Sequence, residues 1–169
     1  MQSNRLVIAL GLFVFTVSNA SILLASDTKR ERGLKGYDRA GPYTLSVQSH
    51  YAGAEETLAS IRNFIWSHWS QKKKGYLSVT RFSLEGNRTT REFFIEPSDK
   101  ESWRIRIIVT REISSFTGKP PKTTTSTLIG VSVKRIDKSG EHELAPDQEV
   151  AGGSYRLVIT CRNGEEIEE

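Results

Sequence analysis

The chain has 169 residues, 37% apolar and 26% charged, a composition that excludes a collagen-like chain, a coiled coil and wholesale disorder. It carries 24 basic and 20 acidic residues, and four of the acids lie in the last five positions. Between the first 25 residues and that acidic end, 23 bases stand against 16 acids, so the body of the chain has a charge of +7. A basic body can attract an anionic lipid, a cell-wall polymer or nucleic acid.

The N-terminal segment has the pattern of a secretory signal peptide. Arg5 precedes an uncharged apolar run, Leu6–Val17, and small residues at positions 18 and 20 suit cleavage after Ala20. The apolar character continues to Ala25, a length that can also span a bilayer as a retained anchor. Residues 1–25 therefore predict an exported protein, secreted or periplasmic, or one anchored by a single N-terminal transmembrane helix.

The next segments predict a linker, a strand and a helix. Residues 26–41 are charged and lack apolar periodicity, as in a flexible linker. Pro42–Val47 alternates like a short strand. The clearest helix is predicted from Ala54 to Lys72, because apolar side chains recur there at helical spacing. Gly75 is predicted to end it.

After Gly75 the apolar period changes from helical to two, which is typical of strands. The predicted strands are Tyr76–Leu84, Thr89–Glu96, Trp103–Ile113, Thr127–Ile136 and Ser154–Arg162. Ser115–Thr125 and Lys138–Gly153 are predicted loops, and residues 165–169 form an acidic tail.

Strands joined by short turns usually pair antiparallel. The sequence therefore predicts a single α+β domain over residues 42–164, with one long helix packed on one face of a four- to five-stranded antiparallel meander sheet. This order of elements resembles cystatin-like and nuclear-transport-factor-like folds. Such layouts host inhibitors, binding modules and enzymes, so the resemblance implies a layout and no particular activity.

The common catalytic signatures are missing from the sequence. It contains no glycine-rich phosphate loop, no HExxH, no GxSxG and no paired-cysteine metal motif. No catalytic residue, metal ligand or cofactor is predicted, and a non-enzymatic protein is favoured over an enzyme. The single cysteine, Cys161, ends an alternating run and is predicted to be a buried thiol. Asn87 begins an N-x-[ST] pattern in a predicted turn, a glycosylation signal where the source organism uses one.

Four arginines form the leading candidate site. Arg104 and Arg106 alternate with the apolar side chains of their strand, and Arg81 and Arg91 are expected to share the same uncovered sheet face. The leading hypothesis is a small exported binding module whose basic sheet face binds an anionic envelope component or a protein. Because the leader predicts export, nucleic acid is the least expected partner.

Two alternatives stay open. Helix and sheet can enclose a pocket near Trp66, His68 and Trp69 that binds or turns over a small ligand. A membrane-tethered accessory subunit is the third hypothesis, and it requires the leader to be retained.

Overall fold

The computed structural model describes residues 33–46, 52–99, 102–114, 120–139, 142–148, 150 and 155–169. The chain divides into two compact units, residues 1–36 and residues 37–169, and the second unit holds every element named below. The predicted leader, residues 1–25, lies outside the described residues. Within the described part, no helix has the length and apolar character needed to cross a membrane.

Among its described residues, the second unit has seven strands and one helix. The strands are β1 (Asp38–Ser46), β2 (Gly75–Phe82), β3 (Arg88–Pro97), β4 (Trp103–Ile113), β5 (Lys122–Asp137), β6 (Tyr155–Cys161) and β7 (Glu166–Glu168). They form one sheet in chain order. The helix α1 (Ala52–Ser70) connects β1 to β2, and that crossover makes β1 and β2 the one parallel pair among these strands.

The fold class predicted from the sequence is wrong. In place of a long helix on four or five antiparallel strands, the protein is mostly sheet, with 56% strand and 16% helix. Its seven strands form a curled, mixed sheet. A predominantly antiparallel sheet beside one helix remains consistent with an α+β class.

The strand segments that the sequence did not predict have few apolar side chains. β1 begins at Asp38, inside the predicted linker, and is held by its pairing with β2. β5 begins at Lys122, inside the predicted loop Ser115–Thr125, and its first residues are exposed on both faces. β7 lies in the predicted acidic tail. Backbone pairing with a neighbouring strand forms such segments, so apolar alternation does not identify them.

The core lies between α1 and one face of the sheet, here called the inner face. Ile61 and Ile65 of α1 are fully buried against it. Strand register places successive core side chains side by side, for example Leu77 beside Phe93 and Phe93 beside Ile107. Each fully buried side chain of this kind contributes about 1.5–3 kcal/mol of transfer free energy. The opposite side of the sheet is called the outer face.

Candidate functional site

Arg104 and Arg106 lie together on the outer face of β4, where one carboxylate holds both. Glu96 faces Arg104 across the β3–β4 ladder. Its Oε1 accepts hydrogen bonds from Nε of Arg104 at 3.0 Å and from Nε of Arg106 at 3.1 Å. Its Oε2 accepts from Nη2 of Arg106 at 3.1 Å and from the hydroxyl of Tyr37 at 2.6 Å. Both arginine side chains are about one-third exposed, at 36% and 32%, so the group remains reachable from solvent.

The ionisation of this group follows from those contacts. Burial raises the pKa of Glu96, but hydrogen bonds from Arg106, Tyr37 and Arg104, with the charge of Arg106, outweigh it and hold that pKa at about 2. Burial and the hydrogen bond to Glu96 raise the pKa of Tyr37 to about 12. The hydrogen bond to Glu96 also raises the pKa of Arg106. At neutral pH two guanidinium groups therefore share one carboxylate beside a neutral phenol.

An aromatic ring also packs against Arg106. The guanidinium carbon of Arg106 lies 4.1 Å from the ring centre of Phe94. The Phe94 ring in turn lies 5.0 Å from that of Tyr76 and 6.2 Å from that of Tyr37. We call Tyr37, Phe94, Glu96, Arg104 and Arg106 the outer-face network. Stacking and hydrogen bonding fix the direction in which Arg106 points.

Arg81 and Arg91 lie on the inner face, so the four predicted arginines do not share a surface. Register places Arg91 beside Val79 and Val109, both core residues. Both arginines bind the carboxylate of Glu169, whose side chain is fully buried: Nη1 of Arg91 lies 2.6 Å from Oε1, and Nη2 of Arg81 contacts Oε2. The sequence cannot reveal this division, because it depends on which residue faces which across β2 and β3.

His68 packs against the start of β2, away from Trp66. Its Nδ1 lies 2.9 Å from the carbonyl oxygen of Phe64, an acceptor, so Nδ1 carries a proton in that contact. Its Nε2 lies 3.3 Å from Oδ2 of Asp38, and its ring stacks on Phe64 with centroids 4.0 Å apart. A Cβ atom at Gly75 would stand 2.8 Å from Cδ2 of His68. Because Gly75 has no side chain, the imidazole ring fits against it. The helix α1 ends at Ser70, so Gly75 is not the residue that ends it.

Trp66 covers a buried cation. The guanidinium carbon of Arg135, a residue of β5, lies 4.4 Å from the ring centre of Trp66 and 5.6 Å from that of Tyr155. Only 4% of Arg135 is exposed. Its Nη1 donates to the carbonyl of Gln148 at 2.9 Å, and its Nη2 donates to the carbonyls of Ala145 and Pro146. One guanidinium thus joins the helix, the sheet and the segment 145–148.

These contacts form the floor of an open cleft of about 630 Å³. It is lined by Asn63, Trp66, Ser67, Arg135, Pro146, Asp147, Gln148, Val150 and Tyr155. We call it the Trp66 cleft. The hydroxyl of Tyr155 donates to Oδ1 of Asn63 at 3.0 Å across its wall. The lining combines aromatic faces with amide, hydroxyl and carboxylate groups, which is the usual make-up of a small-ligand site. His68 does not line it.

The charge of Arg135 has an unusual environment. Among the described residues, no carboxylate forms an ion pair with it, and its Nε is buried without a hydrogen-bond partner. Peptide carbonyls and two ring faces compensate the cation. Arg135 and Asp147 therefore contribute charges of opposite sign to the lining of the cleft.

Sequence reasoning identified Trp66 but missed the other residues of the cleft floor. Arg135 and Tyr155 lie in alternating strands, where each resembles an ordinary side chain of a strand end. Within the described ranges, no group of three or more His, Cys, Asp and Glu side chains is arranged to hold a metal ion.

Cys161 lies on the inner face of β6, where it is 3% exposed, and the predicted buried position is confirmed. Burial raises the pKa of its thiol, which keeps it protonated at neutral pH.

Comparison with known proteins gives no relative. The chain matches no family model, no curated protein and no solved structure.

Proposed function

We propose that the protein is a binding module for a small ring-bearing ligand with an anionic group, held in the Trp66 cleft. The observation that carries this is the guanidinium of Arg135, 4.4 Å from the Trp66 ring at the floor of a cleft of about 630 Å³. The cleft volume falls within the range of about 300–1,000 Å³ common for small-molecule sites.

Each chemical group of the proposed ligand has a complementary group in the cleft. A planar ring stacks on the half-buried side chain of Trp66, whereas Tyr155 is only 1% exposed. An anionic group is attracted by the guanidinium of Arg135, with which no described carboxylate forms an ion pair, and Asp147 supplies the carboxylate of the same lining. Asn63, Ser67 and Gln148 supply hydrogen bonds that orient the ligand.

The test uses two fluorescent probes that differ in charge. 8-Anilinonaphthalene-1-sulfonate has an aromatic body and a sulfonate, and N-phenyl-1-naphthylamine has the aromatic body alone. We expect the sulfonate probe to bind more tightly by about tenfold, the effect of about 1.4 kcal/mol of favourable electrostatics. Equal affinity for the two probes would contradict the anionic part of the proposal.

Variants then locate the probe. Trp66→Ala should weaken the sulfonate probe by about tenfold or more, as for other aromatic anchors of binding sites. Trp69→Ala is the matched control, because Trp69 also packs against the core but does not line the cleft. Arg135→Met should abolish the difference between the probes, and Arg135→Lys should keep part of it. Equal losses in both tryptophan variants would place the probe elsewhere. Melting temperatures, measured in parallel, show that each variant is folded.

The outer-face network supports a second candidate, a surface for an anionic macromolecule. Arg104 and Arg106 point in a fixed direction, are about one-third exposed, and outnumber the one carboxylate between them. The double variant Arg104→Glu, Arg106→Glu should lose binding to phosphatidylglycerol vesicles at low salt. The control double variant Arg88→Glu, Arg111→Glu makes the same change in net charge outside the network. Equal binding by the two double variants would remove this candidate.

Export itself remains a prediction from residues 1–25. It fits a binding protein of either kind, and an intact mass of the purified protein would report whether and where the leader is cut.

A further inference from the structure

The first half of β5 has a strand neighbour on one side only. β5 pairs with β4 from Lys122 to Gly130 and with β6 from Gly130 to Asp137. Among the described residues, no strand pairs with the other edge of Lys122–Thr127, and all six of these side chains are exposed. In the part of the chain that the structure describes, the hairpin of β4 and β5 therefore presents a free strand edge.

The direction of the backbone groups along this edge follows from one hydrogen bond. The N–H of Arg162 donates to the carbonyl of Ile129 at 2.8 Å, so the backbone groups of Ile129 point away from β4. In an antiparallel ladder, the N–H and C=O of one residue point to the same side, and the side alternates along the strand. The β4–β5 ladder has no register shift. Thr123, Thr125 and Thr127 therefore direct their N–H and C=O groups to the free edge.

The residue types along the edge favour pairing with another strand. Natural edge strands are usually blocked by a charge, a proline or a bulge in the middle of the edge. Here the prolines, Pro120 and Pro121, precede the strand, and the one charge, Lys122, stands at its beginning. The residues 123–127 are uncharged, and four of the five are threonine, a β-branched residue that favours strands.

We propose that two copies of the chain pair antiparallel through this edge, about a two-fold axis at Thr125. In that register Thr125 faces Thr125 of the second copy, and Thr123 faces Thr127. All three residues direct their backbone groups to the edge, so each pair exchanges two N–H···O bonds. Lys122 faces Leu128 of the second copy, so no like charges oppose each other. The edge is thus complementary to itself, as an isologous interface requires.

The short contact sets the strength of this dimer. A six-residue strand pair buries less than the roughly 1,200 Å² of a stable standard interface. We therefore expect a reversible dimer with a dissociation constant of about 10–100 μM. Sedimentation velocity of the purified protein from about 1 to 500 μM brackets that range and should show the sedimentation coefficient rising with concentration.

Charged variants at the axis test the register. Thr125→Lys places two ammonium groups opposite each other and should weaken the dimer about tenfold or more, and Thr125→Glu should do the same with carboxylates. Thr123→Lys is the matched control, because its lysine faces Thr127, and it should weaken the dimer less than about threefold. An equimolar mixture of Thr125→Lys and Thr125→Glu should dimerise again, as a heterodimer. Both positions are exposed, so the variants should keep the wild-type melting temperature.

Three results would overturn the proposal. They are a wild-type protein that stays monomeric over the whole concentration range, equal weakening by Thr123→Lys and Thr125→Lys, and a mixture of the two Thr125 variants that stays monomeric. A monomeric wild-type protein that binds an added threonine-rich peptide would assign the edge to a peptide partner instead.

Discussion

The outer-face network and the Trp66 cleft both hold an arginine against aromatic rings, but they compensate its charge differently. In the network, Glu96 accepts hydrogen bonds from Arg104, Arg106 and Tyr37. In the cleft, Arg135 is held by peptide carbonyls and by the ring of Trp66. A carboxylate cancels most of the field of its partner, whereas carbonyl dipoles and ring faces cancel less. The two sites therefore differ in what compensates the cation: an anion in the network, and neutral carbonyl groups and rings around Arg135.

The largest expected effect comes from removing the shared carboxylate. Glu96→Gln leaves two partly buried guanidinium groups without their anion and should lower the free energy of unfolding by about 2–4 kcal/mol. Glu112→Gln is the control, because Glu112 forms an exposed ion pair with Arg88 at 3.6 Å and should cost less than about 1 kcal/mol. Urea unfolding measures both. A small loss of unfolding free energy for Glu96→Gln would mean that the charges of Arg104 and Arg106 are compensated without the carboxylate.

Acid should weaken the network through the same group. The pKa of Glu96 is about 2 in the folded protein, against an ordinary value of 4.5. A lowered pKa adds stability that is fully present above about pH 4.5 and is lost as the pH falls towards about 2. The loss is up to about 3 kcal/mol for this side chain.

The measurement is urea unfolding at several pH values across that window. The wild-type free energy should fall more steeply than that of Glu96→Gln, and the difference between the two proteins should shrink towards pH 2. Parallel curves for the two proteins would show that Glu96 does not titrate in this range.

The smallest expected effect tests why His68 stays outside the cleft. Gly75→Ala places a Cβ atom 2.8 Å from the imidazole ring, so the ring must move, at a cost of about 1–3 kcal/mol. Gly53→Ala, in α1, meets no atom within 4 Å and should stabilise the protein by about 0.4–1 kcal/mol. Thermal unfolding of the two variants gives the comparison. Equal effects would mean that the packing of His68 on Gly75 is loose.

Some of these features follow from the sequence and others do not. The alternation in β4 places Arg104 and Arg106 on one side, because neighbouring positions of a strand point to opposite faces. The same reasoning failed to place Arg81 and Arg91, because their face depends on the pairing of β2 with β3. Glu96 was not predicted as a site residue, because in the sequence it is an acid at the end of a strand. Its position across from Arg104 makes it the centre of the network.

Local patterns determined the helix and most strands, since apolar spacing directly reflects which side chains can be buried together. They did not determine β1, β7 or the beginning of β5, whose formation depends on the edge of a neighbouring strand. The Trp66 cleft likewise joins Asn63, Arg135 and Tyr155 across the fold. The preference of each residue for burial can be read from its type and its position in the sequence. Strand register and long-range contacts are properties of the folded sheet, so only the tertiary structure decided them.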